Sequence, residues 1–538
     1  MTAQNFGPEY FRSQGWWRNE TLRDWLAQRA CNDPDRTAVL TQSSRLSYAE
    51  LNRKAKRFSG GLQRLGLKRG DIVAVHLPNI PEFLIAWLAI NEMGAVLQTV
   101  HTPYGPRELA QLLVHGGAKV AIAMARTKDR SPASDLVSLR TELPGLEHVL
   151  SVHGKVEGAE EFESVVENGS GAEPNPLSGI DLYMQLYTSG TTSSPKAVSV
   201  TYDHFLSNAR MCAAEFEITP ADRILCLAPY THLYGLYSVE LALAVGAMIC
   251  MLDLFSPPAF IETLRALQPT MLFAGPAHIA PCLHNRLFEG LDLSAMRVAV
   301  LSGSTVPVPL SEAFEQKLPN GKVLQAWGMT ELQFGACSRP NDSRDIRFRT
   351  IGRATPGTQL RVADSEGKAL PPGETGELHV RGCSVFSGYL HNPDATREAF
   401  TTDGWFRTGD LAQMDRAGNV ELKGRTKELI NRGGVKFNPI DMEVEIAKHP
   451  AVLQVAIAPI PDDAMGERAC CFVVMKERAS LSFDELKSFL AERQFAKFTW
   501  PEQLVAVPEM PMTPTRKVIK SELVRRFLSE RASGSAAQ

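Results

Sequence analysis

The 538-residue sequence has nine cysteines, but no Cys-x-x-Cys pair and no alternation of His and Cys at metal-binding spacing. A zinc ribbon or disulfide framework is therefore excluded. Cys470 and Cys471 sit side by side in an apolar, strand-like run, where buried free thiols are expected rather than a bridge. The N-terminus, MTAQNFGPEYFRSQGWW, lacks a basic segment followed by an apolar core, so no signal peptide is expected. Long apolar runs are missing too. The most apolar stretch, residues 241–252, follows Glu240 and is too short to span a bilayer. Nor is there an excess of positive charge: 57 basic and 60 acidic residues give a net charge of −3, which argues against a nucleic-acid-binding surface. No repeat and no low-complexity tract occurs. What is left is an expected soluble, cytoplasmic globular protein, long enough for more than one domain.

Helical and strand patterns alternate from the start. Leu22, Trp25 and Leu26 share a face of a helix over residues 21–30, capped by Thr21. AVLTQSSRLSY reads as a hairpin turning at Ser43 and Ser44. Ser47 and Glu50 form a capping-box signature for a helix ending near Gly66. DIVAVHL is a buried strand, PEFLIAWLAINEMG a helix, and GAVLQTVH and AKVAIAMA are further strands. This order predicts an α/β fold with mostly parallel sheets covered by helices. Residues 151–180 are polar, contain Gly and Pro, and read as a linker. Strand–turn patterns recur at 269–280 and 297–308. Near the C-terminus, VLQVAIAPIPD and ACCFVVMK read as strands, and SFDELKSFLAERQ as a helix with Ser482 and Glu485 as its capping box. The composition there shifts to a small α+β unit.

The stretch YTSGTTSSPKAV, residues 187–198, follows an apolar run. The hydroxyls of Thr188, Ser189, Thr191 and Thr192 and the backbone freed by Gly190 can surround phosphate oxygens, and Lys196 adds a mobile charge. A polar surface turn would have a similar composition. The P-loop pattern needs Gly before the lysine and Ser or Thr after it; Pro195 and Ala197 hold those places, so a P-loop is rejected. The stretch resembles the phosphate loop of the adenylate-forming superfamily: acyl-CoA synthetases, luciferases and peptide-synthetase adenylation domains. It departs from the usual YTSGTTGxPKGV at Ser193 and Ala197.

Other motifs follow in the order that resemblance implies. Pro229, His232 and Gly235 match the family's P-x-x-H-x-x-G motif, which implies that His232 lines the carboxylate end of the acyl pocket. Leu233 stands where enzymes for 2-hydroxybenzoates have Asn, and no acidic residue occurs from Ala228 to Val239. Tyr234, Leu236 and Tyr237 would suit an uncharged apolar tail, or belong to the core. Gly275 and Ala326 are further substrate-side candidates. Gly303, Ser304 and Thr305 match the turn that borders adenine. QAWGMTE resembles the family's Q-x-Y-G-x-T-E: Trp327, Gly328 and Met329 would lie at the nucleotide, Thr330 at a phosphate. Glu331, with Thr188, would ligate Mg²⁺. The resemblance makes Asp410 of WFRTGDL the acceptor of the ribose hydroxyls, and Arg425 a ribose or phosphate contact. Lys427 falls at the family's hinge, and Gly433 and Gly434 in a loop turned to the thiol tunnel. In PMTPTRKVIKSEL, Pro511, Thr513 and Lys517 match P-x-T-x-x-G-K, with Lys517 as the catalytic lysine and Arg516 in place of Gly.

The resemblance spans nearly the whole chain. It implies a large N-terminal AMP-binding domain with a β-subdomain, residues 1–424, and a small mobile domain, 425–538. It also implies an acyl-CoA synthetase that uses ATP, Mg²⁺ and coenzyme A to convert an apolar medium-chain, alicyclic or aromatic acid, through its adenylate, to a thioester. The alternative is an acyl- or aryl-AMP ligase that loads the phosphopantetheine thiol of a carrier protein. A non-catalytic nucleotide-binding regulator would need a degraded site, yet Lys196, Glu331, Asp410, Arg425 and Lys517 are all present. A homodimer is compatible with the sequence.

Overall fold

The computed structural model describes residues 6–171, 175–187, 196–432, 435–462, 465–493, 495–513 and 516–532. Its contacts divide the chain into two compact units: residues 1–360 with 380–406, and 361–379 with 407–538.

The first unit contains two large sheets. In one, strands Arg353–Ala354, Gln333–Cys337, Lys322–Met329, Val298–Leu301, Met271–Ala274, Arg223–Cys226, Met248–Cys250, Thr37–Leu40 and Arg45–Ser47 lie side by side in that order. The middle pairings are parallel, and the sheet turns antiparallel only at its two ends. In the other, the order is Glu160–Glu161, His148–Val152, Ala118–Met124, Ile72–His76, Val96–Thr99, Leu182–Tyr187 and Ala197–Thr201. All its pairings are parallel except the last. The parallel strands are apolar on both faces, as helices on both sides require. Met271–Ala274 and Val298–Leu301 are buried at every position.

The local signals are realised. Thr21 caps Leu22–Asn32 in a capping box with Asp24, and Ser47 with Glu50 caps Tyr48–Arg64. The helix Leu233–Val245 shows no polar face, and its residues through Leu243 are buried, as expected of a helix enclosed on all sides. All nine cysteines are unpaired; Cys470 and Cys471 are fully buried, and burial pushes the Cys470 thiol up to about 12. Among the described residues, no helix is long and apolar enough to cross a membrane.

Residues 151–180 are more than a linker. They include the strand Glu160–Glu161 and the helix Phe162–Glu167. Phe162 and Val166, four residues apart, share the buried face, and the Phe162 ring lies 4.3 Å from that of Phe58. Polar composition conceals so short an amphipathic turn.

The second unit holds most of a four-stranded sheet: Thr358–Ala363, Thr375–Gly382, Phe406–Met414 and Val420–Arg425. It also holds a five-stranded sheet centred on the long antiparallel pair Val452–Asp462 and Gly466–Met475. One face of that pair packs Ile457, Cys471 and Val473 with Leu486 and Leu490. The other packs Ala458, Cys470 and Phe472 with Leu523 and Phe527. Strand alternation thus feeds two separate cores. Ser482 and Glu485 cap the helix Phe483–Glu492.

Candidate active site

Lys196 immediately precedes the strand Ala197–Thr201, whose antiparallel partner ends at Tyr187; Tyr187 and Ala197 are register partners. The two stems of the hydroxyl-rich stretch are therefore fixed to each other. Thr188, Ser189, Gly190, Thr191 and Thr192 lie outside the described residues.

Strand Lys322–Met329 leads to Glu331 through a tight hairpin with Gln333–Cys337. A Cβ at Gly328 would come within 1.9 Å of the Gln333 carbonyl oxygen, and one at Gly335 within 2.5 Å of the Trp327 ring. Only glycine allows these approaches. Trp327 is thereby buried against Gly335, and Ala326 is buried beside it. Met329 and Thr330 remain half-buried. Glu331 is 5% exposed.

The segment Phe386–Tyr389 encloses Glu331. The Phe386 N–H donates to the Glu331 carbonyl oxygen at 2.7 Å, and the Tyr389 hydroxyl donates to Glu331 Oε1 at 2.8 Å. Lys196 Nζ sits 4.9 Å from the Tyr389 ring centroid, within cation–π range. Tyr389 itself is fixed by the Leu390 N–H bonded to the Ala197 carbonyl oxygen. Burial, then the neighbouring carboxylate, holds the phenol well above its usual range, so it stays a donor. Sequence reasoning passed over Tyr389; the signal available was its Phe-x-Gly-Tyr setting.

His232 caps the helix Leu233–Val245, its Nδ1 accepting from the Tyr234 N–H at 3.1 Å. That bond assigns the ring proton of the neutral form to Nε2. Gly235 is obligatory: a Cβ there would lie 2.2 Å from the Pro229 carbonyl oxygen. Tyr234 and Tyr237 are spent on packing. The Tyr234 hydroxyl donates to the Val300 carbonyl oxygen at 2.9 Å and that of Tyr237 to Asn208 Oδ1 at 2.7 Å; Leu236 is fully buried. His101, another residue sequence reasoning missed, lies with its ring 6.2 Å from His232 and its Nδ1 2.9 Å from Thr231 Oγ1. Burial lowers its pKa to about 4, so it is neutral. Gly275 approaches Ser302, whose N–H bonds the Ala274 carbonyl oxygen. Gly303, Ser304 and Thr305 form the exposed turn that follows, Gly303 at φ 92°.

In the second unit, Asp410 and Arg425 are register partners on adjacent strands. Arg425 Nε lies 2.9 Å from Asp410 Oδ1; the carboxylate is buried and the guanidinium half-exposed. Lys427 is exposed within the 3-10 turn Thr426–Glu428. Gly433 and Gly434 lie outside the described residues. In the C-terminal motif the Thr513 N–H donates to the Lys517 carbonyl oxygen at 2.8 Å, and the Lys517 N–H to Thr513 Oγ1 at 3.0 Å. Arg516 holds φ 59°, the left-handed conformation that glycine adopts without strain. The arginine therefore takes the backbone conformation that a glycine there would take.

The sequence matches the family described as AMP-binding enzyme over residues 26–390, and the AMP-binding enzyme C-terminal domain over 441–517. It is 29% identical to the medium-chain fatty-acid–CoA ligase of Escherichia coli K12 over 97% of this chain and 93% of that one. It is also 29% identical to a feruloyl-CoA synthase of Amycolatopsis, over 95% and 100%. The crystal structure of ATP-bound MatB from Rhodopseudomonas palustris superposes with a TM-score of 0.85 at 27% identity, over 94% of this chain and 99% of that one. The chain belongs to the AMP-binding enzyme family, as an AMP-forming acid–thiol ligase.

Proposed function

We propose that the protein joins an apolar medium-chain, alicyclic or aromatic carboxylic acid to coenzyme A in two steps. The observation that carries this reading is the grouping of Lys196, Tyr389 and Glu331: a cation and a buried carboxylate held on the two sides of one phenol. A carboxylate is a poor electrophile because its oxygen leaves badly. In the first step its oxygen attacks the α-phosphorus of ATP and the bond to pyrophosphate breaks. Catalysis of such a displacement is mostly positioning and charge neutralisation. Lys196 would oppose phosphate charge at the mouth of the hydroxyl-rich stretch. His232 would donate from Nε2 to the carboxylate oxygen that is not attacking. Asp410 would accept the ribose hydroxyls, and Arg425 would orient it. Lys517 would stabilise the charge shared by the carboxylate and α-phosphate oxygens.

The Glu331 carboxylate offers hard oxygen donors of the kind Mg²⁺ takes, so the residues present fit that ion. Bound there with Thr188, Mg²⁺ would neutralise phosphate charge. In the second step the CoA sulfur attacks the acyl carbon, AMP leaves, and the thiol proton passes to solvent. The segment 425–538 is proposed to turn about Lys427 between the steps, with Gly433 and Gly434 on the thiol side. The reading includes a cytoplasmic setting, where ATP and CoA are both at hand.

An apolar acid is supported by the names of the two ligases above and by the lack of any acidic residue from Ala228 to Val239. The test is pyrophosphate release and thioester formation across a panel of acids with ATP and CoA. Turnover with apolar acids is expected. Adenylation without CoA turnover, but with transfer to a carrier-protein thiol, would overturn the choice of acceptor.

A further inference from the structure

Glu240 is a fully buried carboxyl that the chemistry above does not use. It lies two turns along the helix that His232 caps. The Tyr183 hydroxyl donates to its Oε1 at 2.9 Å, and its Oε2 lies 2.6 Å from the Gln333 side-chain amide. Tyr183 belongs to the strand Leu182–Tyr187, which runs directly to the hydroxyl-rich stretch. Gln333 stands two residues after Glu331 in the hairpin that carries Trp327 to Glu331. One carboxyl therefore joins three segments that each bring a residue to the candidate site. Among the described residues no ion pair includes it.

Two features make the Gln333 end informative. Gln333 holds φ 62°, a conformation that residues other than glycine rarely keep unless something secures them. Its carbonyl oxygen also faces Gly328 across the hairpin at a distance that excludes any side chain. Holding the Gln333 side chain thus holds the turn that contains Met329, Thr330 and Glu331.

We propose that Glu240 is a positioning residue for adenylate formation, clasping the strand that enters the phosphate-binding stretch to the hairpin that carries Glu331. The clasp works with Glu240 neutral. A separation of 2.6 Å is short for an amide N–H···O bond and ordinary for an O–H···O bond. The amide oxygen and nitrogen of Gln333 are interchangeable in placement, so a protonated Glu240 donates to the Gln333 oxygen while accepting from Tyr183. Burial pushes its carboxyl up to about 8, against the smaller downward pulls of Tyr183 and Gln333. The titratable groups facing it are phenols: Tyr183 from the adjoining strand and Tyr237 from its own helix, with the Tyr202 ring tilted against Tyr183 at 4.6 Å. Both facing phenols are held well above their usual range by burial, so the carboxyl is the group that titrates first. Its ionisation would place an unpaired negative charge at the meeting point of the three segments.

The inference rests on the adenylation reading, and ATP–pyrophosphate exchange separates the two. With an accepted acid, the wild type should lose kcat as pH rises through about 8. E240Q, uncharged at every pH, should lose that alkaline limb and keep wild-type KM for the acid. E240L should lower kcat by roughly 10- to 100-fold, the scale of lost orienting contacts around a reactive site, with KM for the acid changed less than about twofold. Y183F, which removes only one hydroxyl, should fall between and serves if E240L does not fold. An unchanged alkaline limb in E240Q, or full kcat in both E240L and Y183F, would overturn the inference. A wild type that exchanges pyrophosphate with no acid would instead sink the adenylation reading, and the inference with it.

Discussion

The hydroxyl of Tyr389 and the carboxylate of Glu331, 58 residues apart in sequence, meet at 2.8 Å. The same phenol ring carries Lys196 on its face. Tyr389 thus orients one side chain by hydrogen bonding and meets another through its π-system.

Tyr389→Phe keeps the ring and removes the bond to Glu331. The variant should fold normally and keep the Lys196 contact. Magnesium half-saturation in pyrophosphate exchange should rise by about tenfold, the lower end of the loss seen when a ligand's orienting partner is removed. Titration of exchange with Mg²⁺ checks it, and an unchanged half-saturation would show that Glu331 needs no orientation from Tyr389.

Lys517→Ala should lower adenylate formation by about 100-fold or more, the scale of losing one group that stabilises developing charge. Thioester formation from pre-made acyl-adenylate should survive. Neither bond between Thr513 and Lys517 uses the lysine side chain, so both survive the substitution. Equal losses in both half-reactions would assign Lys517 to the fold.

Lys427→Pro fixes φ within the turn Thr426–Glu428. Pyrophosphate exchange should be spared and the thiol step slowed at least about tenfold, as expected when a hinge cannot absorb its dihedral change. Proline also disfavours the helical region for Thr426. An unfolding midpoint equal to wild type is therefore part of the measurement, and normal thioester turnover would remove Lys427 from the hinge.

Glu240 also sets a pH dependence of stability. Its folded-state pKa, about 8, lies above its ordinary value of 4.5, so between those pH values the folded state binds more protons than the unfolded one. Stability then falls as pH rises through that window, and the loss is complete above about 8. Glu240→Gln should match the wild type near pH 4.5 and exceed it by on the order of 4 kcal/mol at pH 9. Denaturant unfolding at the two pH values tests this, and parallel curves would show that the carboxyl is not neutral in the native state.

The local geometry at the candidate residues of each unit was legible because their motifs are local. His232, Gly235, Trp327, Glu331, Asp410 and Lys517 sit in short patterns whose geometry comes from neighbours in sequence: Gly235 meets the Pro229 carbonyl six residues earlier, and Thr513 closes on Lys517 four residues later. Capping boxes at Thr21, Ser47 and Ser482 are local for the same reason. Apolar strands separated by amphipathic helices were enough to determine helix-covered parallel sheets, because that period leaves no other way to bury both sheet faces. Tertiary structure alone decided which polar side chains meet over long separations. Tyr389 reaches Glu331, Glu240 gathers Tyr183 and Gln333, and Tyr234 and Tyr237 turn into the core as bolts to Val300 and Asn208. Buried polar atoms must find partners wherever packing brings them, and packing is a property of the assembled sheets and helices that no short stretch of sequence encodes.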